Sequence, residues 1–188
     1  MPNDTRTRML AATVDALRRR GVAGMSFTDV LAASGAARGA IYHHFPGGKT
    51  QLVAEAAAVN GEDVRAALAA LPADTPQATV RAFLATVRPV VQASAEGAGC
   101  AVAALTVRAG EDADNDALRL VAATGLTSWT GQLAERLTAA GLAPGQAGEL
   151  AALLIALLEG AHIMCRAAGD LGPFDHAAHA IIALAESL

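Results

Sequence analysis

A guanidinium, a phenol and two imidazoles cluster in Arg38-Gly39-Ala40-Ile41-Tyr42-His43-His44. These groups donate hydrogen bonds to phosphates and base edges, and a guanidinium matches guanine O6 and N7 in a bidentate way. Arg38 is therefore the candidate for a base contact. Gly39 and Ala40 are small, which lets a helix sit deep in a groove and leaves Ala40 able to touch a thymine methyl. The Tyr42 phenol can reach a phosphate while its ring packs over sugar. His43 can donate to a phosphate or to a base edge. Lys49 opens a long helical pattern, where its charge and the first helix amides can meet a phosphate together. Thr28, at the start of the preceding helical pattern, can do the same. Other roles stay open: Tyr42 also fits a cap on the local core, and His44 fits the interior.

The elements that position these groups are read from the flanking residues. Ser26 to Ser34 reads as a short helix capped by Thr28, with Val30, Leu31 and Ala33 on its buried face. Gly35 permits a turn, and a second short helix ends at Phe45-Pro46. That order is a helix-turn-helix, whose second helix enters a major groove. A first helix from about Thr5 to Arg20 precedes it, with Leu10, Val14 and Leu17 on one face and Gly21 and Gly24 at its end. Ile41, Phe45 and Val30 read as core. Arg18, Arg19 and Arg20 fit a solvated helix end that suits the dipole. Arg6 and Arg8 also fit an adjacent minor groove.

Charge supports a nucleic-acid role for this end only. The chain has 188 residues and a formal net charge of −4. Up to Thr50 the cations are Arg6, Arg8, Arg18, Arg19, Arg20, Arg38 and Lys49, against Asp4, Asp15 and Asp29. A basic head on an acidic body binds DNA locally while the body resists non-specific adhesion.

The rest reads as helix as well. Apolar residues make up 53%, with alanine in excess and aromatics at 3%, which favours an all-α fold. The expected organisation is a DNA-binding head at 1–48, a connecting helix at 49–71 and a ligand-binding and dimerisation body at 72–188. Five helices are expected in the body: Gln77 to Ala95 with a kink at Pro89, Cys100 to Ala109, Asp114 or Asn115 to Ala140, Gln146 to Ala168, and Phe174 to Glu186. Ser94 to Gly99 and Gly110 to Asn115 read as loops. The apolar run Leu150 to Leu158 is too short to span a bilayer, and the first residues lack a signal-peptide core, so a cytoplasmic protein without a membrane partner is expected. Cys100 and Cys165 make neither a disulfide framework nor a metal spacing.

The N-terminal third resembles the DNA-binding domain of the tetracycline-repressor (TetR) family of transcriptional regulators. The likeness rests on Gly21-Val22, Phe27-Thr28, Val30 to Gly35, Gly39 to Phe45, Lys49 and Leu52. Two further stretches, His43 to Lys49 and Gly99-Cys100-Ala101-Val102-Ala103, resemble the LmrA/YxaF-like subgroup. There a Gly-Cys-Pro-Val stretch is usual, and Ala101 replaces its proline. The resemblance implies a homodimer on double-stranded operator DNA, released by a small-molecule inducer. The subgroup implies multidrug-type or flavonoid-like effectors.

A single head reads few base pairs, so two heads held roughly 34–36 Å apart are required. Leu150, Leu153, Leu154, Leu157 and Leu158, with Phe174, Ala178, Ile181, Ile182 and Leu184, carry more apolar surface than two helices need within one subunit. A four-helix interface between two copies answers this. Candidates for a hydrophobic effector site are Phe83, Val87, Val91, Leu105, Trp129, Leu133 and Leu158, with Cys100 and His162 as polar handles. Core packing is the competing role for the aliphatics, and for Trp129 both roles stand.

Enzymatic readings find little. Glu159, His162 and Cys165 lack further ligands at workable spacing, as do His176 and His179. Gly47-Gly48-Lys49-Thr50 ends like a phosphate loop but lacks the earlier glycine and the strand. No catalytic, metal or cofactor site is expected. An activator, or a DNA-binding protein without a ligand, stays open beside a repressor.

Overall fold

The computed structural model describes residues 2–107 and 114–187. Among them are eight α-helices: α1 Pro2–Gly24, α2 Phe27–Ser34, α3 Ala40–His44, α4 Gly48–Ala69, α5 Pro76–Ala95, α6 Asp114–Ala139, α7 Pro144–Ala168 and α8 Gly172–Glu186. The fold is all-α, as composition indicates. The chain forms two compact units. The first holds Met1–Glu62 with Cys100–Gly125, and the second holds Asp63–Gly99 with Leu126–Leu188. Helices α4 and α6 each contribute residues to both.

In the first unit α1 packs on α2. Met9, Leu10, Thr13, Ala16 and Leu17 give α1 its buried face, and the Thr13 hydroxyl donates to Met9 O at 2.8 Å. Gly21 breaks the helical path with φ +67°, a left-handed backbone that favours glycine. Val30, Ile41, Phe45, Leu52 and Val53 complete this core. Each such side chain contributes about 1.5–3 kcal/mol by leaving water. The cap of α2 differs from expectation. Ser26, in extended backbone, accepts from the Asp29 N–H at 3.2 Å, whereas Thr28 lies inside the helix and is exposed. Ala33 is also exposed, and Ser34 takes the buried place.

In the second unit α5, α7 and α8 pack on one another. Thr75 caps α5, its hydroxyl accepting from the Ala78 N–H at 3.1 Å. Pro89 lies inside α5, which continues to Ala95. Ser94 and Ala95, where the expected helix and the expected loop overlap, belong to the last turn of the helix. Arg88 pairs with Asp175 and stands over the Phe174 ring at 5.8 Å, fastening α5 to α8. Arg81 pairs with Glu186 further along the same helices.

The helix expected over Cys100 to Ala109 is only a 3-10 turn, Ala103–Thr106. Val107 ends it in extended backbone (φ −87°, ψ 119°). Residues 108 and 109 of that expectation, and residues 110–113 of the expected acidic loop, lie outside the described residues.

Candidate nucleic-acid interface and effector core

The turn between α2 and α3 is built by Gly35. Its φ of +65° closes α2, and its N–H bonds back to Ala32 O. Arg38 and Gly39 follow in the turn itself, so Arg38 precedes α3 and does not lie within it. Both are exposed. Ala40 opens α3 half-buried, and Ile41 is its buried anchor. Tyr42 is 67% exposed, a large fraction for an aromatic side chain. Its ring meets Phe27 of α2 edge-on. His43 is exposed beside half-buried His44, with ring centroids 5.0 Å apart. Thr28 is exposed on α2, and Lys49 is half-buried in the first turn of α4. Gly48 enters that helix at φ +70°.

Five expected contact residues, Thr28, Arg38, Gly39, Tyr42 and His43, thus have exposed side chains or backbone, while Ala40 and Lys49 are partly covered. Arg6 and Arg8 form no free arm. Both are in α1, where Arg6 pairs with Glu55 and Arg8 pairs with Asp4 and donates to Ser34 O at 2.9 Å. Arg19 pairs with Asp15 and Arg20 with Asp29, which suits a solvated helix end. Sequence reasoning misses the part of Phe27 in supporting Tyr42, because a contact between two helices leaves no mark on the spacing within either.

The expected effector residues divide between the units. Phe83, Val87 and Val91 are buried on α5, Trp129 and Leu133 on α6, and Leu158 and His162 on α7, all in the second unit. Cys100 and Leu105 belong to the first unit. Cys100 is half-buried, and its Sγ accepts from the Ala103 N–H at 3.3 Å.

His162 is 7% exposed, and its Nδ1 lies 2.6 Å from the buried Ser94 Oγ. That oxygen is also 3.2 Å from Val90 O. One hydroxyl proton serves only one acceptor at a time. If it goes to Val90 O, the imidazole carries its proton on Nδ1; if it goes to Nδ1, the proton sits on Nε2. Sequence reasoning misses Ser94 as the partner of His162 because the two lie 68 residues apart, and no spacing within one helix points to a side chain on another.

Residues 9–56 match the family of bacterial regulatory proteins called tetR, and residues 76–180 match the C-terminal domain of LmrA/YxaF-like transcriptional regulators. The chain belongs to the TetR family. An uncharacterized HTH-type transcriptional regulator of Mycobacterium tuberculosis is 37% identical over 173 residues, covering 90% of this chain and 88% of the relative. The HTH-type transcriptional regulator LmrA of Bacillus subtilis is 27% identical over 175 residues, covering 92% of each. A TetR transcriptional regulator from Chloroflexus aurantiacus superposes with a TM-score of 0.75 at 27% identity, over 97% of this chain and 94% of the other. One from Cytophaga hutchinsonii has a TM-score of 0.78 at 24% identity, over 100% and 96%, and speaks for the fold alone. This TetR-family chain is a DNA-binding transcriptional regulator of a non-enzymatic family, and its C-terminal domain is of the LmrA/YxaF-like kind.

Proposed function

We propose that this TetR-family regulator is a cytoplasmic homodimeric repressor, released from its operator by a small hydrophobic molecule. The observation that carries its DNA role is the outward set Arg38, Tyr42 and His43 on a turn and helix anchored by buried Ile41 and Phe45. Arg38 reads a base, Tyr42, His43, Thr28 and Lys49 hold phosphates, and Gly39 and Ala40 allow close approach.

Pairing of two chains is supported by the outer faces of α7 and α8. Leu153, Ile163, Met164 and Leu184 are exposed there, Ile163 at 72%. By length and hydropathy α7 would also suit a bilayer, yet its other face packs within the second unit. An apolar face on a regulator of this family is better used against its own copy.

Effector binding is supported by the apolar second unit and its buried Ser94–His162 pair. Phe83, Val87, Val91, Trp129, Leu133, Leu158 and His162 are the proposed contacts there. Cys100 and Leu105, in the first unit, are proposed on their side-chain chemistry alone. A ligand releases DNA only if it binds the DNA-incompetent state more tightly. The test is an anisotropy titration of the protein–operator complex with flavonoid-like and multidrug-type compounds. A compound that binds tightly and leaves operator affinity unchanged is not the inducer. Failure of the whole class rejects this effector chemistry.

A further inference from the structure

The head contains a closed ring of contacts that none of the proposed DNA-contacting side chains enters. Gln51 Oε1 accepts from the Gly47 N–H at 2.7 Å, and Gln51 Nε2 donates to Glu55 Oε1 at 2.9 Å. The other Glu55 oxygen accepts from Arg6 of α1. The Arg6 guanidinium carbon stands 5.2 Å from the centre of the Phe45 ring, which closes the path beside Gly47. Phe45 is fully buried and ends the recognition helix. Gly47 is fitted to the ring, since a Cβ there would lie 3.0 Å from Gln51 Oε1 and 3.1 Å from Gln51 Cβ. The path thus ties the end of α3, the turn at Gly47 and the first two turns of α4 to α1. Lys49 and the opening amides of α4 lie inside the tied segment.

We propose that Glu55, acting through Arg6 and Gln51, is a positioning residue for DNA binding. It holds the Phe45–Gly48 junction so that α3 and the start of α4 face one duplex in fixed register. Arg6 and Glu55 are each about a third exposed, at 39% and 31% of their side chains. Such a pair alone adds little stability, but joined contacts cooperate and fix geometry. The proposal rests on the reading of α3 and Lys49 as the DNA-facing residues. Its sign is diagnostic. A carboxylate near DNA repels phosphates, so removing its charge for electrostatic reasons alone raises affinity for every duplex. A positioning role instead lowers affinity for the preferred sequence.

The test uses the full-length protein, a duplex that it selects from a random pool, and a scrambled duplex of the same length. Fluorescence anisotropy gives the ratio of the two affinities for wild type, Glu55→Gln, Arg6→Gln and the double variant. Each single variant is expected to lower the ratio about tenfold, and the double variant no further than either, as for groups acting as one unit. Gly47→Ala, which crowds Gln51 without altering charge, is expected to lower it as well. Where thermal melting shows Glu55→Gln to be poorly folded, the ratio for Gly47→Ala decides instead. An unchanged ratio in folded Glu55→Gln, a rise on both duplexes alike, or losses that multiply in the double variant overturn the proposal. If wild type selects no duplex, the DNA-facing reading itself fails, and the proposal falls with it.

Discussion

The Tyr42 and Phe27 rings meet edge-on, with centroids 6.0 Å apart and planes at 85°. The contact ties the exposed side of α3 to the first residue of α2. Edge-to-face pairs of this kind contribute about 0.5–1.5 kcal/mol beyond burial. Tyr42→Phe keeps the ring contact and removes only the hydroxyl. It is expected to weaken binding to selected and random duplexes alike, by about 1.5–3 kcal/mol for a hydrogen bond to a charged phosphate. Anisotropy on both duplexes, with a thermal melt as control, checks this. A loss on one sequence only would assign the hydroxyl to base reading.

Arg38 and Lys49 are expected to fail differently. Arg38→Ala should cost about 1–3 kcal/mol on the operator and relax preference at one position. Lys49→Ala should weaken all duplexes and lower the salt slope by about one. Repeating the selection from random DNA with each variant separates the two. Equal loss on operator and random DNA for Arg38→Ala rejects its base contact.

Ile163 lies on the outer face of α7 and packs little within the chain. A charge there should spare the fold and block pairing, because desolvating an unpaired carboxylate is costly. Ile163→Glu is expected to sediment as a monomer where wild type sediments as a dimer, and to lose operator binding. A dimeric Ile163→Glu moves the interface elsewhere.

Ser94→Ala removes the hydroxyl that bridges α5 to His162. Loss of a buried hydrogen bond of this kind costs about 1–3 kcal/mol. Urea unfolding should show an earlier midpoint at unchanged slope. An unchanged midpoint would mean that the bond contributes nothing.

Asp175 titrates below the usual carboxylate range. The main cause is the hydrogen bond from Arg88; burial opposes it, and the charges of Arg88, His179 and His176 assist. Arg88 is raised in turn, first by that hydrogen bond and then by the charge of Asp175. A lowered carboxylate stabilises the fold above its unfolded value, about 3.9, and that contribution disappears as pH falls through the folded value. Asp175→Asn should therefore melt earlier than wild type at neutral pH, and the gap should close at acid pH. A gap that persists in acid points to packing rather than charge.

Much of the head can be read along the chain because its signals are local. Gly35 needs a left-handed backbone, Pro46 cannot continue a helix, and the helical spacing of Leu10 and Leu17 marks a buried face. Thr28 shows the limit of such reading. It and Ser26 are both capping residue types, and only the backbone at Ser26 decides which one bonds to an N–H. The body is harder. Val107 ends a turn that alanine-rich sequence alone would extend as helix, and the pairing of Ser94 on α5 with His162 on α7 leaves no mark on the spacing within either helix.

Local spacing and residue chemistry were enough to establish a helical protein with a cationic helix-turn-helix, since both depend on neighbours a turn or two apart. The tertiary fold decided what lies far apart in sequence but touches in space: Arg6 with Glu55, Ser94 with His162, Arg88 with Asp175. Nothing in a periodic pattern encodes those partners. Each pairing is chosen by which helix faces lose water together, and that choice is made by the whole core at once.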